Sequence, residues 1–207
     1  MKRIGPLGAI DSLQQTLLRL TSPGVPDLYQ GTDLWDFSLV DPDNRRPVDY
    51  ALRREWLAEV EAKGPPSEQL QNWRDGRVKL AIVRRALALR KHCESLFAQG
   101  EYIPLKVEGE HAEKVIAYAR HAGSAFAIVI ATRLAAPLLD ASNDVPHVEP
   151  SRWGDTSIVL PAALHSRALF DWLSLNAPKA DGERLFMRDA LAVMPVALLV
   201  EEGVPKP

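Results

Sequence analysis

Apolar residues follow one rhythm in the first half of the chain and another in the second. Leu13, Leu17 and Leu20 fall at i, i+4 and i+7 and predict a short amphipathic helix over residues 12–20. Asp11 or Ser12 can cap it, Ser12 with Gln15 fits a capping box, and Thr21-Ser22-Pro23-Gly24 stops it. Val48, Leu52, Trp56 and Val60 repeat at i+4 and predict a second helix beginning near Pro47, ended by Gly64-Pro65-Pro66. After a polar piece at residues 67–72, Asp75 can cap a longer helix that runs to about His92 or Phe97. Its stripe is Ile82, Ala86, Leu89, Cys93 and Leu96, widened by Leu80, Val83 and Leu87.

Gly100 marks a change of period. Residues 102–107, 115–120 and 125–132 read as strands, with turns at Gly109-Glu110 and Ala122-Gly123-Ser124. Shorter strands are expected at 157–160, 168–173, 185–187 and 196–200, punctuated by prolines. The fold class is therefore α+β: a helical first half, residues 1–99, followed by an antiparallel β-sandwich over residues 100–207. Trp153 and Trp172 in that second half either pack in a core or interface, or form a carbohydrate platform.

Between the first two helices lies a loop-rich stretch, residues 22–49, reading SPGVPDLYQGTDLWDFSLVDPDNRRPVD. Its start, residues 25–29, is short, apolar-rich and bounded by turn signals, which predicts a strand; Pro26 restricts it to a strand start or an edge. A helix, a tight turn and a strand make half of an α/β unit, and ligands bind at the C-terminal ends of such strands. Gln30-Gly31-Thr32 follows at that end. Tyr29, Trp35 and Phe37 sit among Asp33, Asp36, Asp41, Asp43, Asn44, Arg45 and Arg46. Flat apolar faces beside bidentate donors and acceptors suit a polyhydroxylated sugar. The same prolines, aspartates and glycines also suit a solvated connector.

Composition narrows the field. The 207 residues are 46% hydrophobic and 25% charged, ordinary for a globular protein. A net charge of −2 and a pI near 6.2 give no pull towards nucleic acid or an anionic membrane. Cys93 is the single cysteine, so no intrachain disulfide forms. No apolar run is long enough to span a bilayer, and MKRIGPLGAID lacks the apolar core of a signal peptide, so a cytoplasmic location is expected. The five histidines are scattered without metal-ligand spacing, and no phosphate loop or nucleophile elbow is present, so neither metal nor cofactor is expected.

The run SPGVPDLYQGTDLWDFSLVDPDNRRPVDYALR resembles maltooligosyl trehalose synthases, a branch of the α-amylase superfamily of glycoside hydrolases. GVPDLYQG is similar to that superfamily's motif at strand eight of a (β/α)8 barrel, with Asp33 where Glu is usual; LWD and LVDPDNRRPVD are more particular to the trehalose-forming branch. DGRVKL, GEYIPL and WGDT extend the likeness over most of the chain. The resemblance implies the last strand and following helices of the barrel, then a C-terminal β-domain packed against it. It implies conversion of the reducing-end α-1,4 bond of a maltooligosaccharide to an α,α-1,1 bond, by a retaining-type intramolecular transglucosylation that needs no cofactor.

In such enzymes the catalytic carboxylates lie on earlier barrel strands, so none is expected here and the chain alone is expected to be inactive. Independent pairing of Asp33 with Asp36, or Asp41 with Asp43, would need two carboxyl groups about 5–5.5 Å apart across a sugar. The expected substrate-binding residues are Tyr29, Gln30, Asp33, Trp35, Asn44, Arg45 and Arg46. Tyr29 and Trp35 either stack on pyranose rings or pack. Gln30 and Asn44 bond sugar hydroxyls or loop backbone, and Asp33 orients a hydroxyl or an arginine. Arg45 and Arg46 divide between carboxylates and sugar oxygens. Lys79 reaches a substrate or a backbone carbonyl, and Asp49 belongs to local structure at the next helix. Expected partners are the maltooligosaccharide, the N-terminal barrel portion and, through an apolar face, a second copy of the chain. The alternative is a non-catalytic glucan-binding or assembly module.

Overall fold

A computed structural model describes residues 4–39, 41–140, 142, 144–202 and 204, without the side chain of Asn44. The first helix, α1, spans Ile4–Thr21 and so starts eight residues before the expected Ser12. Gly5, Pro6 and Gly8 disguise this start in the sequence. Pro6 is tolerated because the first amides of a helix have no intrahelical acceptor. Ser12 is thus interior, and its carbonyl accepts the Thr16 hydroxyl at 2.7 Å rather than opening a capping box.

Helix α2 spans Tyr50–Ala62, three residues later than Pro47 suggested, because Asp49 caps it by accepting the Leu52 amide at 2.9 Å. A 3-10 segment, Pro66–Asp75, occupies the polar connection and ends at Gly76. Helix α3 spans Arg77–His92 and a short α4 spans Glu94–Ala98. The Asp75 carboxylate accepts the Arg77 amide at 2.9 Å at the start of α3.

Among the described residues eight strands follow: β1 (Glu101–Pro104), β2 (Val107–Glu108), β3 (Val115–Ala122), β4 (Ala125–Thr132), β5 (Ser157–Val159), β6 (Leu169–Asp171), β7 (Arg184–Phe186) and β8 (Val196–Glu201), with a four-residue helix α5 (Met187–Ala190) after β7. They form two antiparallel sheets, ordered β1-β3-β4-β8-β6 and β2-β5-β7.

The central strands explain how the layers stack. Successive side chains of β4 point to opposite faces, and both faces are buried. Ile128 and Ile130 join a core with Ile158 and Leu185 of the small sheet and with Trp153. Ala127, Val129 and Ala131 join a second core with Leu13 and Leu17 of α1 and Val78, Ile82 and Leu89 of α3. Strand β8 divides in the same way, with Ala197 and Leu199 facing one core and Leu198 and Val200 the other. Helices therefore cover one face of the large sheet and the small sheet covers its other face. Trp153 and Trp172 are buried, which excludes them as an exposed sugar platform here.

Polar ties cross between the helical and stranded halves. Arg120 of β3, only 1% exposed, donates to the carbonyls of Thr21 (3.0 Å), Phe97 (3.1 Å) and Gly100 (2.8 Å). The Tyr118 hydroxyl meets that of Thr21 at 2.6 Å. Arg85 of α3 and Trp172 exchange hydrogen bonds, each to the other's carbonyl, at 2.9 Å. The end of α1, where the loop departs, is thereby held to the large sheet.

The expected strand at residues 25–29 does not form. A barrel strand is completed by hydrogen bonds to neighbouring parallel strands, and none of the described strands lies beside this run. Val25 is 96% exposed there.

Candidate functional site

The loop at residues 22–49 has a fixed root and a locally held arm. At the root, Arg53 of α2 donates to the Gly31 carbonyl at 2.7 Å and meets Asp33 at 3.3 Å. Lys79 of α3 donates to the Leu34 carbonyl at 2.9 Å. The Trp35 indole N–H donates to the Trp73 carbonyl at 2.6 Å, and the two indoles meet edge to face at 6.3 Å. Leu34 packs with Val60, Leu80 and Ala81. Residues 31–35 are thus gripped from α2, the 3-10 segment and α3.

Backbone geometry lets the grip close. Gly76 has φ 86°, a conformation that costs a residue with a Cβ. A Cβ at that position would also lie 3.1 Å from the Trp35 backbone nitrogen.

Beyond Trp35 the polar contacts of the arm are short-range. Asp36 accepts the Ser38 amide at 2.9 Å and also the Ser38 hydroxyl, and the hydroxyl, then the amide, holds its carboxyl below the usual carboxylate range. Asp43 accepts the Leu39 amide at 2.8 Å and pairs with Arg46, while Asp41 pairs with Arg45 at 2.5 Å. Asp33, Asp36, Asp41 and Asp43 therefore all have local partners. Phe37 and Leu39 are 88% and 79% exposed.

Two adjoining depressions flank the arm. One, about 490 Å³, is lined by Tyr29, Gln30, Arg45 and Arg46 together with Asp27 and Val48. The other, about 440 Å³, shares Gln30, Arg46 and Val48 with it and reaches Trp35, Asp43 and Arg53. Four expected sugar-binding side chains thus converge on the first depression, and Trp35 borders the second. Tyr29 presents 64% of its surface, whereas Trp35 is half-buried against Trp73 with its N–H already used. Asp33 lines neither depression and orients Arg53. The Asn44 side chain lies outside the described residues.

Of the two readings of Lys79 the structure has the backbone carbonyl, while Arg53 is the residue whose role the sequence hid. Lys79 is 7% exposed, and burial, aided by the nearby Arg19 guanidinium, lowers its pKa to about 8. It lies between Val78 and Leu80 on a helix whose other face is charged, so only its apolar surroundings hinted at burial. Arg53 reads in the sequence as one more charge on α2; its i+4 spacing from the capping Asp49, whose carbonyl it meets at 3.2 Å, was the available signal. Among the described residues, no group of three or more His, Cys, Asp or Glu is placed to hold a metal ion. No described helix is long and apolar enough to cross a membrane.

Comparison with known proteins places this arrangement among relatives. No protein-family profile matches the chain. Two Mycobacterium tuberculosis proteins named as maltooligosyl trehalose synthases, from strains H37Rv and CDC 1551, are each 43% identical over 110 residues. That match covers 53% of this chain and 12% of the relative. The solved maltooligosyltrehalose synthase of Arthrobacter ramosus matches 94% of the chain at 37% identity with a TM-score of 0.70, and a mutant of it at 38% with 0.71. Another maltooligosyl trehalose synthase structure matches 96% at 26% identity and 0.66. An α-amylase of Geobacillus thermoleovorans, 14% identical with a TM-score of 0.52, shares the fold alone. The chain spans about 22% of the length of the Arthrobacter enzyme. The resemblance first read in the loop is thus shown across most of the chain, which is related to one part of the maltooligosyl trehalose synthases.

Proposed function

We propose that this chain forms one wall of the glucan site in a maltooligosyl trehalose synthase. The whole enzyme would convert the reducing-end α-1,4 bond of a maltooligosaccharide to an α,α-1,1 bond. A carboxylate attacks the anomeric carbon, an acid protonates the leaving oxygen, and the released glucose re-attacks through its anomeric hydroxyl. Residues 1–99 would contribute the end of the barrel and residues 100–207 the β-domain. Residues 25–29 would pair as the last barrel strand only beside strands outside this chain. The observation that carries the reading is the convergence of Tyr29, Gln30, Arg45 and Arg46 on one depression within the loop whose motifs resemble those synthases.

In this reading Tyr29 offers a ring face to a pyranose, Gln30 bonds hydroxyls through its amide, and one of Arg45 and Arg46 turns from its aspartate to sugar oxygens. Trp35 and Asp33 act from behind, by holding the loop. Partners for Asp33, Asp36, Asp41 and Asp43 support the assignment of the catalytic carboxylates to residues outside the chain. Purified chain incubated with maltopentaose should therefore leave its reducing ends intact. Conversion by this chain alone would overturn that assignment.

A second reading, an assembly module docking on a separately encoded catalytic part, draws support from the exposed Val25, Phe37 and Leu39. It predicts recovery of synthase activity on mixing with that part. The same side chains predict self-association in isolation, which sedimentation across a concentration series would test.

A further inference from the structure

We infer that Lys79 is a positioning residue for the proposed glucan wall: its ammonium fixes the Leu34 carbonyl and so sets where the loop leaves its root. The inference deepens the reading above and rests on it for its link to glucan.

The geometry carries it. Lys79 is almost wholly buried, and among the described residues it forms no ion pair; the Asp33 and Asp36 carboxylates act on it only from longer range and do not offset its burial. Its ammonium is directed at one backbone carbonyl, 2.9 Å away, and it stands 5.9 Å from the centre of the Trp35 ring on the next residue. A buried cation without an ionic partner is a poor way to gain stability, since an apolar side chain of similar length avoids the desolvation cost. What the ammonium does supply is direction, since a charge-assisted donor holds a carbonyl in place more strongly than a neutral one.

The location gives that direction a consequence. Leu34 and Trp35 are the last residues held from other elements before the arm, which is anchored again only at Val48, beside Gly31, and at Asp49, the cap of α2; between them the polar contacts are of short range along the chain. The Leu34 carbonyl is therefore one of the two anchor points between which the arm presents Arg45 and Arg46 to the depressions. Arg53 grips the loop three residues earlier, at Gly31, and does not replace a contact at Leu34.

The test compares the chain with Lys79→Met and Lys79→Gln by hydrogen exchange, thermal melting and maltopentaose titration. Lys79→Met should exchange about 10-fold faster across residues 31–38 while β3, β4 and β8 stay unchanged, because a lost charge-assisted bond is worth at least that factor in a local opening equilibrium. Its melting temperature should not fall. Lys79→Gln keeps a donor on a shorter arm and should fall between. Where the unaltered chain binds maltopentaose, Lys79→Met should weaken binding about 10-fold, in line with the loop's opening. Unchanged exchange at 31–38 overturns the inference, as does a lowered melting temperature with faster exchange throughout, which would mark Lys79 as a general structural residue. Absence of maltopentaose binding by the unaltered chain counts against the proposed glucan wall, and the exchange comparison still decides the role of Lys79 in the loop.

Discussion

Replacing Arg120 with methionine tests whether the helical and stranded halves are held as one unit. In the native chain its guanidinium satisfies the carbonyls of Thr21, Phe97 and Gly100 at 2.8–3.1 Å while being 1% exposed. Methionine keeps much of the side-chain length but donates nothing. Three backbone oxygens would then have to find water or rearrange, each at about 1–3 kcal/mol if left unsatisfied. Part of this is offset because the guanidinium no longer has to be desolvated, the effect that already lowers the Arg120 pKa. A net loss of about 2–4 kcal/mol is expected, since three carbonyls lose their donor while no buried charge is left behind.

Lysine at the same position cannot reach three acceptors from one ammonium and should lose about half as much. Urea unfolding followed by circular dichroism and by tryptophan fluorescence gives the measurement. Both signals should shift together to a lower midpoint, because α1, α4 and β3 share these bonds. A loss below about 1 kcal/mol for Arg120→Met would show that these carbonyls are satisfied without it. A fluorescence transition separating from the circular dichroism transition in the native chain would refute the idea of one unit.

Asp171 accepts the Leu173 and Leu198 amides at one oxygen, and the Ser174 amide and hydroxyl at the other. Asp171→Asn should therefore cost about 2–4 kcal/mol in chemical unfolding, since one pair of donors then faces an NH₂ group; a neutral result would show that the turn re-forms around the amide. Lys79 titrates in the fold at about 8 and unfolded near 10.5. Between these values the unfolded chain binds more protons, so this group makes stability rise with pH, by up to about 3 kcal/mol, and the gain is lost again as pH falls through 8. The slope should be smaller by this contribution in Lys79→Met, with that of groups such as Cys93 and Tyr118 left in place, and an equal slope in both proteins would refute the burial argument. Gly76→Ala should destabilise by about 1–2 kcal/mol, through the positive φ and the approach to Trp35; an unchanged melting temperature would show that the root of the loop has slack.

Local pattern sufficed for much of this protein. The apolar run Ala125–Thr132 reads as a strand, the period of Ile82, Ala86 and Leu89 reads as a helix, and both form. The mix of rings, carboxylates and guanidinium groups singled out residues 22–49, and the motifs there led to relatives that the comparisons bear out. Periodicity records which side of an element is apolar but not what will cover it. Only the assembled chain decided that β4 would be buried by helices on one face and by a second sheet on the other.

The start of α1 at Ile4 depends on tertiary burial of Pro6, Ala9 and Ile10, which overrides the glycines around them. The strand expected at residues 25–29 needs neighbours that the chain's own described strands do not provide, since a strand is completed by distant hydrogen bonds and not by its own residues. Arg53 as a holder of the loop, and Leu34 as the carbonyl that Lys79 reaches, became visible for the same reason. Their partners lie 22 and 45 residues away, and spacing along a sequence carries no record of a contact made across a fold.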